Sequence, residues 1–194
     1  MKSVVLLGSI LLLSACGSMQ SQVVKKNVAF DPDSQAQIRS YGSYGSDLIR
    51  IYPKTDCAKW EGTKRNAVNR RFVNGLPRKV RNISIGIPPT ELSRKTEKDT
   101  GFVFRDSYRE MVVSANQPVV LDGAFSSQTR NHHYSCRVAA SFTPKAGEAY
   151  EVRYLSEEEG CDIEVYHIGH EEKDGVRQTK KLTANYCAKP GTSF

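Results

Sequence analysis

Between Tyr134 and Phe142 the side chains alternate: Tyr134, Cys136, Val138, Ala140 and Phe142 fall on one side, and Ser135, Arg137, Ala139 and Ser141 on the other. Successive side chains of a strand point to opposite faces, so a period of two held this long predicts a half-buried strand. The pattern then repeats. Tyr150, Val152 and Tyr154 alternate with Glu151 and Arg153; Cys161, Ile163, Val165 and His167 alternate with Asp162, Glu164 and Tyr166. The connections, Thr143-Pro144-Lys145-Ala146-Gly147-Glu148 and Glu157-Glu158-Glu159-Gly160, are short and turn-like. Three such strands in succession predict an antiparallel meander with one dry face and one wet face.

Upstream, Gln37 to Tyr41 and Leu48 to Tyr52 flank Gly42-Ser43-Tyr44-Gly45-Ser46, which predicts a hairpin across a glycine loop. Glu110 to Ser114 and Pro118 to Phe125 form a second expected pair around Ala115-Asn116-Gln117. Ile83, Ile85 and Ile87 alternate with Ser84 and Gly86 up to Pro88-Pro89. Seven or eight short strands in one chain predict a mostly β fold, an antiparallel β-sandwich, with a small open barrel as the alternative. One short helix is expected near 63–76: Thr63 serves as N-cap, Val68, Phe72 and Leu76 make a stripe, and Gly75 and Pro77 stop it. The competing reading is a hairpin turning at Asn74-Gly75, against which Pro77 weighs.

The N-terminus departs from this pattern. Lys2 precedes an apolar run from Val4 to Leu13, too short to span a bilayer, which ends in Leu13-Ser14-Ala15-Cys16. This layout resembles the lipobox signal of bacterial lipoproteins. The resemblance implies that residues 1–15 are a signal peptide and that Cys16 becomes the acylated first residue of the mature protein. A multiply acylated cysteine would hold the protein stably at a membrane. Gly17 and Ser18 follow, without the aspartate that marks inner-membrane retention in Gram-negative lipoproteins, so the implied address is the outer membrane, on its periplasmic face. Residues 17–27, rich in Ser, Gln and Lys, read as a tether that with Cys16 forms a 16–27 segment, and residues 28–194 as one domain.

Four cysteines remain after Cys16: Cys57, Cys136, Cys161 and Cys187. In an exported chain an even count predicts two disulfides. Neighbours one strand removed in a flat sheet are about 9.5 Å apart, beyond the roughly 7 Å limit for a disulfide. Cys136–Cys161 therefore requires the middle strand to end near Leu155, or the third strand to cross to another sheet. That pairing with Cys57–Cys187 is favoured; Cys161–Cys187 with Cys57–Cys136 is the runner-up. The stretch Phe142-x-Pro144-x-x-Gly147-x-x-Tyr150 between two of these cysteines resembles small lipoprotein and periplasmic β-sandwich domains. That likeness implies a fold and no active site.

Charge is local. Removing Lys2 with the signal lowers the net charge from +7 to +6, yet Lys59 to Arg81 alone carries eight basic residues and one acid, Glu61. Lys64, Arg65, Arg70, Arg71, Arg78, Lys79 and Arg81 are therefore candidate anion-binding residues, for an anionic envelope component or an acidic protein. The same residues also suit a solvated charged loop. Nucleic acid does not fit, since Trp60 and Phe72 are the only stacking side chains in the stretch. His167-x-x-His170-Glu171 lacks the helical metalloprotease order, so no metal site and no cofactor are expected. The expected function is a non-catalytic binding or structural module of the envelope. The alternatives are an inhibitor or immunity protein that docks on an envelope enzyme, and a zinc-dependent hydrolase built on His167, His170 and a nearby carboxylate.

Overall fold

The structure, a computed structural model, describes residues 23–42, 48–63, 66–68, 72–73, 76–77, 81–99, 106–128, 130, 133–157 and 160–188. In chain order the strands are β1 (Val23–Lys25), β2 (Gln35–Gly42), β3 (Leu48–Pro53), β4 (Asn66–Val68), β5 (Phe72–Val73), β6 (Leu76–Pro77), β7 (Asn82–Ser84), β8 (Ser107–Ser114), β9 (Val119–Gln128), β10 (His133–Phe142), β11 (Ala149–Glu157), β12 (Gly160–Lys173), β13 (Val176–Leu182) and β14 (Asn185–Ala188). One helix, α1 (Glu91–Lys98), lies between β7 and β8. A seven-stranded sheet has the order β1-β7-β8-β2-β11-β12-β13, and a five-stranded sheet the order β14-β10-β9-β3-β4. Both sheets are open, so the fold is a β-sandwich and not a closed barrel.

The alternating residues face the core except at the start of β10, where Tyr134 is exposed. Ile38, Val152 and Val165 from the larger sheet join Ile51, Leu121 and Val138 from the smaller in one fully buried cluster. Each such side chain stabilises the fold by about 1.5–3 kcal/mol. The sheets approach closely at Gly123, where a Cβ atom would lie 2.3 Å from Cδ2 of Tyr154. Tyr154 is held there by its hydroxyl, which donates to the carbonyl of Cys136 at 3.0 Å. Only glycine leaves room for that ring.

The pairing differs from expectation in three places. The β2 and β3 strands are not a hairpin: β2 pairs with β8 and β11, and β3 with β9 and β4. The β8 and β9 strands likewise lie in different sheets. So do β10 and β11, which reduces the expected three-stranded meander to the β11–β12 hairpin. Alternation shows which residues face the core, not which neighbour the backbone bonds to, and a short loop at a sandwich corner bridges the roughly 10 Å between sheets as well as it turns within one. The crossing at β10–β11 removes the geometric difficulty with the cysteines. Cys136 on β10 and Cys161 on β12 face each other across the core with their Cα atoms 6.0 Å apart, and they are bonded, as are Cys57 and Cys187.

The expected helix near 63–76 is absent from the described part of that segment. It holds β4 and a small ladder, Phe72 opposite Pro77 and Val73 opposite Leu76; the expected Asn74-Gly75 turn lies outside the described residues. Pro77 ends a two-stranded ladder with no third strand, the edge setting that tolerates proline. The tether is shorter than expected, because Val23–Lys25 run parallel to β7. After β12 the chain turns at Asp174 (φ 53°) and Gly175 (φ 75°) into β13. Positive φ at both central residues is the type I′ hairpin turn that Asp-Gly favours.

Candidate functional site

The outer face of the larger sheet, expected to be wet, carries a buried row of charge. The β2 strand lies between β8 and β11, and Arg39 is in register with Glu110 on one side and Glu151 on the other. All three are at most 4% exposed. Arg39 Nε donates to Glu110 Oε1 at 2.9 Å, and Nη1 to Glu151 Oε1 at 3.0 Å. Its Nη2 reaches the carbonyls of Ile87 at 2.8 Å and Pro88 at 3.0 Å. Burial pulls the guanidinium toward neutrality, but Tyr41, Glu110 and Glu151 outweigh it and hold the pKa above its ordinary value.

This row fastens the covering layer. Glu110 Oε2 accepts from Ser84 Oγ and from the backbone N–H groups of Ile85, Gly86 and Ile87 at 2.7–3.2 Å, which ties the 84–87 loop to the sheet. Glu151 Oε1 accepts from the Tyr41 hydroxyl and from Thr90 Oγ1, both at 2.5 Å. Burial raises the Tyr41 pKa, which keeps that hydroxyl a donor. Thr90 is also the N-cap of α1: its side chain accepts from the Ser93 N–H while the Ser93 hydroxyl accepts from the Thr90 N–H. The helix buries Ser93 and Thr96, not an apolar stripe.

Between α1 and β11, β12 and β13 the covering leaves a cleft of about 350 Å³. Glu151 and Arg153 of β11 and Tyr166 of β12 line it, with Glu91 and Lys95 on the helix side and Arg177 to Thr179 along β13. The Arg177 N–H donates to the carbonyl of Pro89 at 2.8 Å and closes one end. Arg153 lies 4.6 Å over the Tyr166 ring, and its Nη2 meets the Tyr166 hydroxyl at 2.5 Å and Glu164 Oε2 at 2.8 Å. Its Nε is buried without a partner among the described residues. Glu164 also receives Lys181 Nζ at 2.6 Å. Burial opposes the Glu164 charge, but the Lys181 and Tyr166 hydrogen bonds prevail and its pKa lies below the ordinary value. Every hydrogen bond that Glu151 makes among the described residues ends on Oε1, which leaves Oε2 for the cleft. The chemistry available there is recognition by fixed charges of both signs.

Cys16, Lys64, Arg65, Arg70, Arg71, Arg78 and Lys79 lie outside the described residues. Arg81 is described: it is exposed and immediately precedes β7. His167 and His170 do meet a carboxylate. Glu148 Oε2 is 2.6 Å from His167 Nε2 and 3.7 Å from His170 Nε2, and the His167 hydrogen bond holds the Glu148 pKa below its ordinary value. Among the described residues no group of three His, Cys, Asp or Glu is arranged to hold a metal ion. Arg39 and Glu110 of the buried row, and Glu151 and Thr90, which also line the cleft, are not singled out by the sequence. The one signal available is a charged residue at the centre of an alternating strand, as in Gln37-Ile38-Arg39-Ser40-Tyr41. The chain matches no family model, and no curated protein or solved structure matches it.

Proposed function

We propose that the chain is an outer-membrane lipoprotein, anchored through Cys16, whose β-sandwich is a non-catalytic binding or structural module that rests its basic end on the anionic bilayer surface. The observation that carries this reading is the parallel register of β1 and β7. Val23, where the chain enters the sheet, is opposite Asn82, the residue after Arg81. Paired strands are about 4.8 Å apart, so the entry point and the last residue of the basic stretch share one end of the sandwich. The middle of the stretch, at Val68, lies toward the same end. Val68 is opposite Ile49, next to the start of β3, and β3 follows Gly42, which is opposite Ser107. Ser107 adjoins Tyr108, whose N–H donates to Asn82 Oδ1 at 3.0 Å.

Six residues, 17–22, separate Cys16 from β1 and span at most roughly 20–22 Å, which keeps that end near the headgroups. Each basic residue near an anionic surface contributes about 1 kcal/mol. The two disulfides suit an oxidising compartment. Metabolic labelling with palmitate tests the anchor: the wild-type chain takes up label and fractionates with membranes, whereas Cys16→Ser takes up none and leaves them. Label in the variant, or none in the wild type, overturns the reading.

A further inference from the structure

We infer that the cleft beside α1 binds a small zwitterion, an amino acid or short peptide, with its ammonium on Glu151 and its carboxylate on Arg153, Lys95 and Arg177. The site lies on the helix side of the larger sheet, and the inference is independent of how the chain is anchored.

The charge balance of the floor comes first. One guanidinium, Arg39, serves two carboxylates, Glu110 and Glu151, so the buried row holds one negative charge in excess. Buried charge without a counter-ion is costly, and a cation near Glu151 relieves it. Glu110 does not offer a place, because Arg39 occupies its Oε1 and four donors its Oε2. Glu151 does, since Arg39, Tyr41 and Thr90 all converge on Oε1 and fix the side chain with Oε2 left to the cleft. A carboxylate held by three donors is a preorganised acceptor, and its rotamer entropy is already spent.

The opposite charge stands beside it. Arg153 is two residues along β11 on the same face, about 6.6–6.8 Å away. Its Nη2 is committed to Tyr166 and Glu164, and its Nη1 has no partner among the described residues. Lys95 adds positive charge at the rim, as does Arg177, whose Nη1 donates to the His170 carbonyl and whose Nε lies 3.9 Å from Glu172 Oε2. This arrangement discriminates by repulsion as well as attraction. A plain anion would face Glu151 and Glu91, and a plain cation would face Arg153, Lys95 and Arg177. A neutral sugar would leave the excess charge unanswered. A volume near the lower end of ligand pockets restricts the occupant to a small molecule.

Saturation-transfer NMR on the intact protein in detergent tests this, with glycylglycine as probe, N-acetylglycylglycine lacking the cation, glycylglycine amide lacking the anion, and N-acetylglucosamine as the neutral control. Glycylglycine should give saturable transfer, and blocking either end should weaken it about tenfold or more, the worth of one charged hydrogen bond. Glu151→Gln should weaken glycylglycine by a similar factor. The rim variant Lys95→Gln with Arg177→Gln leaves the floor untouched, and it should also lose affinity; it decides the matter if Glu151→Gln does not fold. Absence of saturable transfer overturns the inference. So does equal binding of free and blocked forms, preference for N-acetylglucosamine, or unchanged affinity in the rim variant.

Discussion

Arg39 sits between two carboxylates in a layer that water does not reach, so its replacement by an apolar residue of similar length has a definite consequence. Arg39→Met leaves Glu110 and Glu151 facing each other without a cation and removes the donors that hold the carbonyls of Ile87 and Pro88. Breaking a buried ion pair by removing one partner costs about 3–5 kcal/mol. Urea unfolding should show a loss of that size, and a change below about 1 kcal/mol would mean that the row is not buried in solution. None of this was legible beforehand. Alternation places Arg39, Glu110 and Glu151 on the polar face of their strands correctly, but a single sequence does not tell a polar face in water from one covered by a helix. The cysteines were more informative, because a two-strand separation that forbids a bond in one sheet permits it across a sandwich.

At the level of elements, two carboxylates tie neighbouring segments together and make part of the stability depend on pH. Glu148 precedes β11 and pairs with His167 on β12, while Glu164 on β12 joins Arg153 on β11 to Lys181 on β13. Both have pKa values below the ordinary 4.5. A carboxylate whose pKa is depressed by folding adds stability that is fully present above its unfolded value and is lost as pH falls through the folded one. Thermal melts of Glu148→Gln and Glu164→Gln should therefore lie below wild type near about pH 7 and converge on it toward about pH 3. A gap that stays constant with pH would show that the charges play no part. The elements themselves were unevenly legible. The Val68, Phe72 and Leu76 stripe has helical spacing, yet its segment forms short strands, whereas α1 has no apolar stripe and is set by the Thr90 and Ser93 cap and by buried hydroxyls. The type I′ turn at Asp174-Gly175 was readable from the dipeptide alone.

For the molecule as a whole, the order of strands decides which residues share the end of the sandwich that we propose meets the membrane. Sequence alone places the acyl signal and the basic stretch 43 or more residues apart, from Cys16 to Lys59. The β1–β7 register sets Val23, seven residues after Cys16, opposite Asn82, the residue after Arg81. The disulfides keep the frame intact, Cys57–Cys187 closing a separation of 130 residues and Cys136–Cys161 one of 25. In the chain-entropy model these are worth about 5 and about 3.5 kcal/mol. The central claim is that the basic end docks on an anionic bilayer, and cosedimentation of the unacylated chain, residues 17–194, with lipid vesicles tests it most directly. It should pellet with anionic vesicles at low salt, release as the Debye length falls from about 30 Å to about 8 Å, and ignore neutral vesicles. Replacing Arg70, Arg71, Arg78 and Lys79 with glutamine should weaken binding by up to about a thousandfold without unfolding the sandwich. Equal cosedimentation of the wild-type and quadruple-glutamine chains, or equal binding to neutral and anionic vesicles, would contradict it.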